Sequence, residues 1–235
     1  MIWRALRAEG MKLKPAACWL PVISSLLFIA FMALEWYLNF RKGPGGVYSA
    51  FNVMYLFLGF VMLLNTALFT GMLTGVEQES NSWKQLLTLP VARPYLYWAK
   101  AIWVLLLLLC TAFLIIGGMV LLWICYTSEP LPFQFLIQQI MYSFLASAAV
   151  LGLQMWLSTQ LANQSIPMSI GFLGAVSGLF IARDSGAVWA RLWPWAYPTL
   201  SSPFMPGAGM WIAISVGLGA ILLTAGALHF NNKQF

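Results

Sequence analysis

Charge is scarce in this chain. Of 235 residues only 12 are Lys or Arg and 6 are Asp or Glu, or 8% charged, where a water-soluble domain carries roughly 25%. With 61% hydrophobic residues, the scarcity excludes a water-soluble domain. Histidine occurs once, at His229, and with no second ligand partner it supports neither a metal site nor a catalytic triad; at the end of the last apolar run it is expected at the membrane interface. No His with Asp or Glu, and no nucleophile with a base, gathers on neighbouring span ends, which argues against an intramembrane enzyme. Cys18, Cys110 and Cys125 form neither a disulfide framework nor a CxxC pair and are expected to be buried as small apolar groups. The chain also lacks a G-x-x-x-x-G-K-[ST] phosphate loop, so it cannot hold and hydrolyse ATP in that way itself.

What is present is long apolar runs. About 20 such residues cross a bilayer as a helix, and spans are expected over 17–38, 51–74, 98–125, 133–160, 165–182 and 209–229. The first run follows basic residues as a signal peptide would, but it is too long for one and no A-x-A site closes it, so it is read as a retained span. Run 98–125 exceeds what a bilayer needs and must tilt or protrude. The fold expected is an all-α integral membrane protein with six transmembrane helices in one domain, 1–235. Six spans leave both termini on one side. Arg4, Arg7, Lys12, Lys14, Lys84, Arg93, Lys100 and Lys233 fall on that side; Arg41, Lys42, Arg183 and Arg191 fall opposite. The excess places the termini in the cytoplasm. Because the net charge of +6 sits at span ends rather than in one cluster, it speaks for lipid headgroups and topology, not nucleic acid.

Residues 1–16 can form an interfacial helix: Arg4, Arg7, Met11 and Lys14 share one stripe and Trp3, Leu6, Gly10 and Leu13 the next, basic beside apolar, as an anionic leaflet favours. Trp3, Arg4, Arg7, Lys12 and Lys14 are its candidate membrane-surface residues; the alternative is a plain basic flank that orients the first span. The one substantial polar interruption lies between the second and third spans. Ser82 and Gln85 have capping-box spacing and start a short helix at Trp83, and Pro90 ends it. Trp83, Leu86 and Leu87 make an apolar ridge at i, i+3 and i+4. Two turns do not hold alone in water, so the ridge either dips into the headgroups or seats in a cytoplasmic partner.

The segment reads E-x-E-x-N-x-W-K-x-L-L-x-L-P-V-x-R from Glu77 to Arg93, followed by Tyr97 and Ala99-Lys100; Glu9, Lys12, Leu13 and Lys14 give E-x-x-K-L-K before the first span. These motifs resemble ABC-2 type permeases, the membrane subunits of a class of ATP-binding-cassette exporters. Pro194-Trp195-Ala196-Tyr197-Pro198 before the last span is similar to a Pro-Trp-x-Tyr-Pro sequence of the lantibiotic-immunity and bacitracin-resistance permeases. The resemblance implies that the short helix in segment 77–90 is a coupling helix gripped by a separate P-loop ATPase subunit, which binds ATP and Mg. This chain itself would bind no cofactor. It also implies a second permease subunit, either a copy or a paralogue, in a bacterial cytoplasmic membrane. Trp83, Leu86 and Leu87 would dock, Glu77 and Glu79 would meet basic groups at the groove edge, Lys84 and Arg93 would meet acidic ones or lipid phosphate, and Pro90 would fix the helix end. The substrate would be hydrophobic or amphipathic, an antimicrobial peptide or a lipid. The residues alone also fit a non-transporting component that docks a cytoplasmic protein.

Inside the spans, Asn65, Gln138, Gln139 and Gln154 are expected to hydrogen-bond between helices, and Glu35 to reach the headgroups. In the outer loop 183–207, Trp193, Pro194, Trp195 and Tyr197 either sit at the interface or line a vestibule.

Overall fold

The computed structural model describes residues 2–13, 15–40, 49–79, 93–161, 163–181 and 188–232, and among them every regular element is helical. Helix α1 is Ile2–Met11 and α2 is Pro15–Glu35, extended by a π-helical turn, Trp36–Phe40. Helix α3 is Ser49–Glu79 and α4 is Arg93–Tyr126. After them come α5, Phe133–Ala146, α6, Ala148–Gln160, and α7, Ser165–Ile181. Two short helices, α8, Val188–Leu192, and α9, Tyr197–Leu200, precede α10, Ala208–Asn232.

Among the described residues, five stretches are long and apolar enough to cross a membrane: Pro15–Asn39, Ala50–Val76, Pro94–Tyr126, Phe133–Gln160 and Ala208–Asn231. The expected span at 165–182 is a 17-residue apolar helix; it rises about 26 Å, just short of the ~30 Å hydrocarbon layer. Helices α3 and α4 outrun the expected spans at both ends. At 34 residues, α4 is about 51 Å long, so it protrudes well past the hydrocarbon.

The outside of the bundle is as apolar as its core: Leu27, Phe113, Leu121, Ile124, Leu173, Phe180 and Leu228 are all exposed. In water such a surface would aggregate; against lipid tails it costs nothing. The cysteines follow the same logic. Cys18, Cys110 and Cys125 are free thiols on this outer surface, not buried as expected, because a small apolar group facing lipid gains nothing by turning inward.

Helix α3 runs through the middle, packed against α2, α4, α6 and α7. Its Thr66, Thr70 and Thr74 are fully buried, and each hydroxyl donates to a carbonyl one turn back, Met62 O at 2.8 Å, Thr66 O at 2.8 Å and Thr70 O at 2.7 Å. A polar stripe thus enters the core without leaving a group unsatisfied. The 133–160 run, expected as one helix, breaks at Ser147. From α10, the buried Ser215 Oγ donates to Ala146 O at 2.6 Å and accepts from Ala149 N at 3.1 Å, supplying partners that the break takes away.

Candidate functional site at the ends of α3 and α4

Ser82, Trp83, Lys84, Gln85, Leu86, Leu87 and Pro90 lie outside the described residues. What the structure places are the two helices that flank them in sequence. Helix α3 continues unbroken through Glu77 and Glu79, and α4 starts at Arg93.

Beneath these ends lies a buried ion pair. Lys100 Nζ, in the second turn of α4, donates to Glu9 Oε2 at 2.6 Å and to Leu73 O of α3 at 2.8 Å. Glu9 and Lys100 are each 2% exposed. The other carboxylate oxygen, Glu9 Oε1, accepts from Lys12 Nζ at 2.9 Å. Two separate pieces of sequence, E-x-x-K-L-K at the N-terminus and Ala99-Lys100 after the polar segment, therefore meet on one carboxylate. A cavity of about 20 Å³ beside it, lined by Glu9, Lys12, Leu13, Ala17, Met72, Leu73 and Val76, is room for about one water.

Helix α1 lies on α4. Trp103 Nε1 donates to Leu6 O at 2.9 Å, and Gly10 faces the same indole, where a Cβ would come within 2.7 Å of the ring. Ala5 packs on Leu96 and Ala99. The stripe expected to be apolar therefore divides: Leu6 and Gly10 face protein, while Trp3 is exposed beside Arg4, Arg7 and Met11 of the neighbouring stripe. Lys12 turns to Glu9, and Lys14 lies outside the described residues. Because the acid of α1 points inward, its outward face carries only arginine, tryptophan and aliphatic groups.

Tyr97, the other conspicuous residue of the motif, points the opposite way, into α10. Its ring lies 6.1 Å from Phe230, and its Oη reaches the backbone at Gly226, where a Cβ would overlap it. The first turns of α4 are thus gripped by α1, α3 and α10 together. Trp103, Leu73 and Gly226 carry no motif; a tryptophan just past the basic exit of the polar segment was the one available signal.

At the opposite end of the bundle, Pro194–Ala196 is a 3-10 turn. Trp195 is 7% exposed and wedges against α7 at Gly174 and Gly178, where any side chain would overlap it. Trp193, on the rim, donates Nε1 to Ser177 Oγ at 3.0 Å. Tyr197 stacks on Trp211 with ring centroids 5.6 Å apart and donates to Arg191 O at 3.1 Å; burial raises its phenol above the usual range, so it stays a donor. Trp195 and Tyr197 belong to the packed bundle of this chain rather than to an open surface.

The intramembrane amides mostly bridge elements. Asn65 Nδ2 donates to Ser24 Oγ of α2 at 3.1 Å, and Gln139 Oε1 accepts from Ser202 Oγ at 2.9 Å. In the orientation that satisfies both its groups, Gln154 donates to Pro167 O and accepts from Gly171 N, each at 3.1 Å. Gln138 is half-buried. Glu35 accepts from Asn39 Nδ2 at 2.6 Å on the exposed end of α2, and His229 Nδ1 accepts from Trp156 Nε1 at 3.3 Å.

Length, hydropathy and packing define a multi-pass membrane protein. The family described as ABC-2 family transporter protein matches residues 5–178, from α1 into α7, and the chain belongs to it. It is therefore a membrane component, a permease, of an ATP-binding-cassette transporter, and membership implies an ATPase partner. No curated protein and no solved structure matches the chain.

Proposed function

We propose that this chain is the membrane subunit of an exporter, with six spans and both termini in the bacterial cytoplasm. A separate P-loop ATPase binds ATP and Mg and grips segment 77–93. In this reading Ser82 and Gln85 start the coupling helix, Trp83, Leu86 and Leu87 fill a groove of the ATPase, and Pro90 ends the helix. Glu77 and Glu79 face basic groups at the groove edge, and Lys84 and Arg93 face acidic groups or lipid phosphate. A second permease subunit, a copy or a paralogue, completes the pathway. Trp3, Arg4 and Arg7 rest on the anionic leaflet.

The observation that carries this reading is the convergence at Lys100. Two family motifs that are far apart in sequence meet on one buried ion pair beneath both ends of the segment, as a device that passes force from the segment into the bundle requires. The proposed substrate is hydrophobic or amphipathic and enters from the membrane, with an antimicrobial peptide favoured, as for the lantibiotic-immunity and bacitracin-resistance permeases. In support, a lateral groove of about 390 Å³ between α2 and α3 is lined by apolar residues except the Ser24–Asn65 pair. A second, of about 420 Å³, lies between α3 and α7.

Purification of the tagged chain from its own cells in mild detergent, with quantitative mass spectrometry, tests the assignment. A P-loop ATPase in about equal amount is expected. A non-ATPase protein in its place overturns the transporter reading in favour of a docking component.

A further inference from the structure

We propose that Glu9 and Lys100 are positioning residues: their ion pair, shared with the Leu73 carbonyl, holds the ends of α3 and α4 at a fixed separation and so sets the frame from which residues 80–92 project. The positional claim stands on geometry; its consequence for transport rests on the function proposed above.

The geometry is level. Leu73 lies six residues before the end of α3 at Glu79, and Lys100 seven residues after the start of α4 at Arg93. At 1.5 Å per residue, these are depths of about 9 and 10.5 Å. One ammonium group therefore joins α1, α3 and α4 in a single plane beneath both exits of the segment. The Leu73 carbonyl has two lone pairs and can serve the α3 ladder and Lys100 together.

The chemistry points to placement rather than strength. A buried ion pair is no more stabilising than well-packed apolar side chains of the same size, and its best-attested use is to fix registry. Charges buried among spans are costly and mark functional positions. Here an apolar pair would pack in many ways, whereas an ammonium between a carboxylate at 2.6 Å and a carbonyl at 2.8 Å accepts one arrangement. Docking of α1 through Trp103 and Leu6 makes the carboxylate itself a fixed point.

The test measures separation directly. Nitroxides are placed at Gln78→Cys and Tyr95→Cys in the full chain, with Cys18, Cys110 and Cys125 changed to Ser, in phosphatidylcholine–phosphatidylglycerol nanodiscs. Pulsed electron–electron resonance reads the distance distribution for the parent, Glu9→Gln, and the Glu9→Met/Lys100→Met pair. The double variant removes both members of the pair and puts apolar groups of similar size in their place, so it is expected to insert and to melt near the parent, yet to give a distribution at least twice as wide. Glu9→Gln, which takes the carboxylate away from Lys100 and Lys12, broadens it as well. A parent-like width in the double variant overturns the proposal, because packing alone would then set the frame; if the double variant cannot be recovered from the membrane, a parent-like width for Glu9→Gln does the same. Copurification of an ATPase is scored separately. A narrow parent distribution, broadened in the variants, with a non-ATPase partner defeats the transporter reading and leaves the positioning role standing.

Discussion

Replacing Tyr97 by Phe is expected to stabilise the protein, although Tyr97 belongs to the family motif. Its hydroxyl is buried, and no hydrogen-bond partner meets it among the described residues. A buried unsatisfied polar group costs about 1–3 kcal/mol, but polar contacts within membranes average only ~0.6 kcal/mol with a maximum of ~1.7. The lower range governs here, so deleting the hydroxyl should recover about 1 kcal/mol. Against this stand the few dispersion contacts that the oxygen makes with Gly226, each worth about 0.1–0.2 kcal/mol. The net expectation is a gain of about 0.5 kcal/mol. A second arm uses the contact itself. A Cβ at Gly226 overlaps the phenol oxygen, so Gly226→Ala should cost about 1–3 kcal/mol beside Tyr97. With Phe at position 97 most of that cost should vanish, leaving a coupling above about 0.5 kcal/mol. Reversible unfolding in mixed micelles, on the four proteins of the cycle, reads both. Destabilisation by Tyr97→Phe of more than about 1 kcal/mol refutes the reasoning, as does an equal cost of Gly226→Ala in both backgrounds.

Two other expectations concern the helix break and the surface helix. Ser215→Ala removes the partner of both Ala146 O and Ala149 N and should cost about 1–3 kcal/mol in the same unfolding assay, while Ser215→Thr keeps the hydroxyl and most of the stability. Arg4→Gln with Arg7→Gln leaves the outward face of α1 uncharged; transport in vesicles should then lose its dependence on the phosphatidylglycerol fraction, each arginine near an anionic surface being worth about 1 kcal/mol.

The helices were readable in the sequence because lipid demands long apolar runs, and the expected spans agree with the observed helices to within a few residues at most ends. Contacts between distant residues were not. Glu9 and Lys100 each look like ordinary charges flanking a span, and nothing local shows that residues 91 positions apart neutralise each other. The break at Ser147 has neither proline nor glycine to announce it; the residue that satisfies it stands on α10. The Trp-rich outer segment has the composition of an interface, and only Gly174 and Gly178 on another helix explain why Trp195 is buried. An apolar ridge between α3 and α4 is what capping and spacing lead one to expect, and docking through it is what the family resemblance implies. Its Trp83, Leu86 and Leu87 fall outside the described residues, so their role rests on the sequence motif and on the helices that frame it.

That role is the central claim, and one comparison tests it most directly: the ATPase bound per chain for the native protein and for Leu86→Asp/Leu87→Asp, each purified from membranes in mild detergent. Two carboxylates on the ridge would be forced into an apolar groove. Insertion and folding of the bundle should be unchanged, while the bound ATPase should fall at least tenfold. An undiminished ATPase stoichiometry in the double variant would contradict the account, because the partner would then be held somewhere other than on this segment.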